Sequence, residues 1–106
     1  MLTKAILSSA EQDALEALAR TIRLARLRRN LTQAEFAERM GVARLSVMSL
    51  EKGRSGVTLG TLLKAMTVLG YTERIGALLA SDPIGDGMAM TSGRQRATGR
   101  ADVADF

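Results

Sequence analysis

From residue 8 to about residue 80, apolar positions recur at helical spacing, and after Ala80 that periodicity stops. A first helix is expected to start at Ser8 or Ser9, each followed three residues later by Glu11 or Gln12 in the capping-box pattern, and to run to about Arg29. Asp13 and Glu16 lie early in it and the arginines late, as the helix dipole favours. At about 100° per residue, Leu15, Leu18, Ala19, Ile22 and Ala25 share one stripe. Leu24 and Leu27 fall on nearly the opposite side, either as ordinary surface leucines or as a second face buried in a dimer.

Thr32 is positioned to cap a short second helix from Gln33 to Met40, with Glu35 in its first turn and Gly41 to stop it. A third helix is expected from about Arg44 to Lys52, ending at Gly53. Thr58 can cap a fourth, whose Leu59, Leu62, Leu63, Met66 and Leu69 form an apolar stripe expected to be buried; Gly70 ends it. Thr72 opens a short fifth helix with Ile75, Leu78 and Leu79 directed inward. The fold predicted is all-α, five helices over residues 8–80.

Residues 81–106 form a tail that opens on Ser81-Asp82-Pro83 and holds Gly85, Gly87, Gly93 and Gly99, too glycine-rich to fold by itself. It mixes Ile84, Met88 and Met90 with Arg94, Arg96 and Arg100 and closes on the acidic, apolar run Ala101 to Phe106. Two readings remain open: a flexible solubilising extension, or an arm that orders on a partner.

Composition narrows the chemistry. The chain of 106 residues has no Cys and no His, which removes disulfides, thiolate nucleophiles, imidazole bases and the usual zinc, haem and iron–sulfur ligands. Aromatic residues make up 3%, so the core must be aliphatic and base-stacking platforms are not expected. No metal and no cofactor is expected. Catalysis would have to rest on carboxylates or lysine, and Glu35 and Glu38 on a short helix read as solvated rather than catalytic. No apolar run approaches the roughly 20 residues of a membrane span. Residues 1–7 carry one Lys and no cleavable signal pattern, so the expected location is cytoplasmic, at the nucleoid. The net charge is +4, but Arg20 to Arg54 alone holds nine cations (Arg20, Arg23, Arg26, Arg28, Arg29, Arg39, Arg44, Lys52, Arg54) against three glutamates. That local excess points to a polyanion.

Two short helices that pack steeply need a small residue where their axes approach, a left-handed turn residue and a branched residue opposite. Ala37, Gly41 and Val47 supply these within TQAEFAERMGVARLSVMSLEKG (residues 32–53), and Phe36, Met40, Val42 and Leu50 complete the wedge. The pattern is a helix-turn-helix. It resembles the phage-repressor/Cro-like (XRE) family, most recognisably in LTQAEFAERMGV and SLEKG, over roughly residues 15–80.

The resemblance implies a lambda-repressor-like domain whose third helix enters the major groove while the second crosses the backbone. With Val47 and Leu50 facing the core, Arg44, Leu45, Met48, Ser49 and Lys52 form the outward face. Arg44 is the leading base reader, through bidentate bonds to guanine O6 and N7, with a plain phosphate contact as the alternative. Leu45 is apolar where a polar residue is often found, which contact with a thymine methyl would explain. Ser46 and Ser49 can donate to bases or phosphates. Thr32 and Gln33 form the entry to the second helix, where the glutamine is expected to hold a phosphate and brace the recognition helix. Lys52, Arg54 and the start of the fourth helix are expected to grip the backbone further along.

Two positions depart from the family pattern: Ala43 replaces a Ser or Thr cap, and Val57 replaces a frequent Pro. Glu51 is expected to pair with Arg26 and to be structural. The function implied is a homodimeric, autoregulatory repressor on a palindromic operator in double-stranded DNA. The short chain with its Gly/Arg tail also resembles HipB-type antitoxins, which implies a HipA-like kinase toxin as partner. The alternatives are a stand-alone phage-type or metabolic regulator without a toxin, and a protein-interaction adaptor.

Overall fold

The computed structural model describes residues 6–92. Arg94, Arg96, Arg100, the run 101–106 and the first five residues lie outside them. All regular structure among the described residues is helical: α1 (Ser9–Arg28), α2 (Gln33–Met40), α3 (Arg44–Glu51), α4 (Leu59–Leu69), α5 (Thr72–Gly76) and α6 (Pro83–Ser92). The chain divides into two compact units, Met1–Ile75 and Gly76–Phe106.

Local chemistry sets the boundaries in the first unit. The Ser8 hydroxyl accepts the Glu11 N–H at 3.1 Å while the Glu11 carboxylate accepts the Ser8 N–H at 2.9 Å. Thr32 and Glu35 repeat that box at the start of α2, at 3.0 and 2.8 Å. Thr58 caps α4 by accepting the Thr61 N–H. Gly41 (φ 76°) and Gly70 (φ 97°) end α2 and α4 in the left-handed conformation that glycine adopts without strain. After α1 that conformation falls to Asn30 (φ 58°), the non-glycine residue that tolerates it best.

The Glu35 carboxyl is held below the ordinary glutamate value, first by the Thr32 backbone N–H, then by the Thr32 hydroxyl, with Arg39 adding a smaller pull in the same direction. A depressed folded-state value means that ionisation favours the fold. The contribution is complete above the ordinary value and is lost as pH falls through the lowered one. NMR titration should give Glu35 a lowered midpoint that moves only part of the way back toward the ordinary value in Thr32→Ala, since alanine keeps the backbone N–H and removes the hydroxyl; equal midpoints in both proteins would refute the hydroxyl's share.

The core is one cluster: Ile22 from α1, Leu31, then Phe36, Ala37 and Met40 from α2, Val47 and Leu50 from α3, and Ala65 and Leu69 from α4. Contacts pair α2 with α3 and α4, and α1 with α3 and α4. Phe36, Met40 and Val47 are its largest fully buried side chains, so the wedge expected between α2 and α3 is the centre of the domain.

Two expectations about burial need correction. Leu59 is 66% exposed and Leu63 is also exposed, while Ala65 and Leu69 are buried. At about 100° per residue the buried face is rotated roughly 70° from the leucine stripe, toward Leu62, Ala65 and Leu69. Alanine at the centre of that face lets the backbones approach, an advantage that no hydrophobic count registers. Leu78 and Leu79, expected inward on the fifth helix, are 70% and 83% exposed because α5 ends at Gly76 before reaching them.

The second unit contains α6, in the stretch expected not to fold by itself. Asp82 accepts the Gly85 N–H at 2.9 Å and Pro83 takes the first helical position, two start signals that the glycines on either side obscure. Its Ile84, Met88 and Met90 are exposed.

Candidate nucleic-acid interface

The residues that hold α3 are not the residues it displays. Val47 and Leu50 anchor its inner face. Glu51 at its last turn accepts the Arg26 Nε at 2.7 Å and Nη2 at 3.0 Å, a bidentate pair whose side chains are 6% and 3% exposed. The third donor of Arg26, Nη1, reaches the Leu31 carbonyl at 2.7 Å. Gln33 Nε2 donates to Glu51 Oε1 at 3.2 Å. The expected Arg26–Glu51 pairing and the bracing by Gln33 are therefore one network, joining α1, the start of α2 and the end of α3.

The turn after α3 is fixed by close approach. Gly53 (φ 72°) lies where an added Cβ would meet the Glu16 Cα at 3.1 Å, and its carbonyl accepts Gln12 Nε2 at 3.1 Å. Val57, where the family often has proline, donates its N–H to the Arg54 carbonyl at 3.3 Å and closes the loop that leads to α4. Proline would lack that donor. The N-terminal end of α3 is open by contrast: Ala43 provides no side-chain cap, so the first-turn N–H groups have no side-chain acceptor.

Two clefts flank α3. One is lined by Arg23, Arg26, Thr32, Gln33, Ala34 and Arg44. It brings the N-terminus of α2 together with the exposed Arg23 guanidinium, an arrangement suited to a phosphate, and has Arg44 at its α3 edge. The Thr32 hydroxyl is already engaged as the α2 cap, leaving only its proton to donate outward. The other cleft is lined by Leu45, Ser46, Ser49, Arg54, Gly56, Val57, Thr58 and Thr61. Seven of the nine expected site residues thus fall into two groups, Thr32, Gln33 and Arg44 on one side and Leu45, Ser46, Ser49 and Arg54 on the other. Met48, half-buried, and the exposed Lys52 line neither.

Not every cation of the basic window faces outward. Arg26 spends its charge internally on Glu51. Arg29 donates to the carbonyls of Ala25 at 2.7 Å and Leu69 at 3.0 Å, tying α1 to the end of α4. Arg23, not among the expected site residues, lines the same cleft as Thr32, Gln33 and Arg44. It lies one turn before Arg26, which pairs with Glu51 of α3. Thr61, whose N–H the Thr58 cap accepts, lines the second cleft beside Thr58.

No group of His, Cys, Asp and Glu among the described residues could hold a metal ion, and no described helix is long and apolar enough to cross a membrane. Two short helices joined through the left-handed Gly41, the second starting without a side-chain cap at the exposed Arg44 and flanked by two clefts, have the layout of a helix-turn-helix. The family model described as helix-turn-helix matches residues 22–75, half of the chain, and the protein belongs to that family, in its phage-repressor/Cro-like (XRE) branch of DNA-binding regulators. A search of the curated proteins finds no match to the chain.

Proposed function

We propose that this protein is a transcriptional repressor that binds a palindromic operator as a homodimer, with α3 of each copy in the major groove, and that it acts on its own operon. The observation that carries the reading is the division of α3. Arg44 and Leu45 stand exposed at its open end, and the buried Arg26–Glu51 pair and the core fix its other end. In this assignment Arg44 reads a guanine. Thr32, Gln33 and Arg23 hold one phosphate, Arg54 and Lys52 hold others, and Ser46, Met48 and Ser49 lie along the base edges.

Arg44→Ala should cost about 1–3 kcal/mol on the preferred site and relax preference at one base pair. Arg54→Ala should weaken all sequences alike and make the salt dependence shallower by about 0.9 in log–log slope. Selection from a random duplex library with both variants tests this. An unchanged site preference for Arg44→Ala would remove α3 from the groove.

Dimerisation follows from information content, because one such unit contacts too few bases to define a unique site. Exposed Leu24 and Leu27 on α1, and Leu78, Leu79, Ile84, Met88 and Met90 in the second unit, are the apolar surfaces that support it. Light scattering at tens of micromolar should give twice the chain mass, and footprints should cover two half-sites about one helical turn apart. A monomer on a single half-site would refute the dimer. The same exposed residues favour a second reading, that of an antitoxin bound to a HipA-like kinase. Failure of such a neighbour's product to co-purify with the full chain would leave a plain repressor.

A further inference from the structure

The outward face of α3 has an unusual vocabulary. It carries Arg44, Leu45, Met48, Ser49 and Lys52 with Ser46 alongside, and it holds no Asn or Gln, the side chains that bind adenine bidentately. Leu45, in the first turn, is 71% exposed, whereas Met48, the other large apolar residue of that face, is half-buried. Leu45 lines a cleft shared with Ser46, Ser49, Arg54, Val57 and Thr61, so apolar, polar and cationic groups border it. Leucine has no hydrogen bond to offer a base edge. The apolar feature of the major groove is the C5-methyl group of a pyrimidine.

We propose that Leu45 is a sensor of pyrimidine C5-methyl groups, so that the protein distinguishes thymine from uracil and 5-methylcytosine from cytosine at one position of each half-site. The inference rests on the assignment of α3 to the major groove. Its new content is regulatory: cytosine methylation within the operator would strengthen binding rather than block it. Arg44, the preceding residue, offers the guanidinium for a neighbouring guanine, so the favoured step pairs a methylated pyrimidine with a guanine. Burying one methyl group against leucine corresponds to about a four-fold change in affinity, from roughly 0.8 kcal/mol per buried carbon.

The test uses the full chain and the duplex it selects from a random library. Each thymine is replaced singly by deoxyuridine, and at the position found sensitive the pair is rebuilt with cytosine or 5-methylcytosine. The expected result is about a four-fold loss with uracil at one thymine per half-site, and about a four-fold gain of 5-methylcytosine over cytosine there. Leu45→Ala should abolish both differences while keeping its helical circular dichroism, since the side chain is exposed. Selective binding with every thymine-to-uracil change neutral would overturn the methyl sensor and leave the repressor reading standing. So would a methyl preference retained in Leu45→Ala. A chain that selects no sequence at all would overturn both, and the two failures are distinct.

Discussion

Glu51→Ala is expected to cost the domain about 3–5 kcal/mol, a large part of the roughly 5–15 kcal/mol that holds a domain of this size together. The carboxylate accepts three hydrogen bonds, two from Arg26 and one from Gln33, and both charges of the pair are almost wholly removed from water. Alanine would leave the Arg26 guanidinium buried with the Leu31 carbonyl as its remaining partner. That uncompensated charge, rather than the loss of the pair's net attraction, is the source of the cost. Glu51→Gln should lose less, because it keeps an acceptor. Replacing both members, Arg26→Leu with Glu51→Leu, should recover much of the loss, because desolvation of the two ions then disappears along with their attraction. Urea denaturation followed by circular dichroism reads all three. A loss under 1 kcal/mol for Glu51→Ala would show that the pair is hydrated in solution.

Phe36→Ala is the other large effect, about 3–5 kcal/mol. Phe36 has no exposed surface and lies in the cluster that joins α2 to Val47 and Leu50 of α3 and to Ala65 and Leu69 of α4. Truncation would open a cavity that three helices must collapse together to fill. Phe36→Leu keeps most of the volume and should cost far less. Because the same ring sets the approach of α2 to α3, Phe36→Ala should also weaken DNA binding at temperatures where the variant remains folded. Denaturation curves together with affinity on the selected duplex separate the two effects. Full affinity in a variant destabilised as expected would show that the angle between α2 and α3 does not depend on the ring.

What could be read from the sequence was what short-range chemistry decides. Ser8 with Glu11, Thr32 with Glu35, Thr58, Gly41 and Gly70 each act within a few residues, so the ends of α1, α2 and α4 were legible. The wedge of Phe36, Ala37, Met40 and Val47 was legible because its spacing encodes the packing of two adjacent helices. Long-range choices were not. Leu59 and Ala65 lie on neighbouring faces of α4, and only the position of the other helices decides which face is covered. Arg26, Arg28 and Arg29 look alike in a charge count, yet Arg26 is buried on Glu51 and Arg29 is bonded to Leu69 of α4, forty residues away. The pairing of Arg26 with Glu51 was nonetheless foreseeable, because a lone glutamate at the end of α3 must face either water or the arginine-rich helix.

The separation of duties along α3 bears on how such a protein can diverge. Val47, Leu50 and Glu51 are buried or bonded, so selection for folding holds them in place. Arg44 and Leu45 are exposed at an end that no side chain caps, and exchanges there should change stability by no more than a few tenths of a kcal/mol. Drift at these two positions is therefore nearly free of folding cost, and after gene duplication a copy could acquire a new operator through one or two substitutions. Operator preference in this lineage should change faster than the core, with residues 44 and 45 varying while residues 47, 50 and 51 stay fixed.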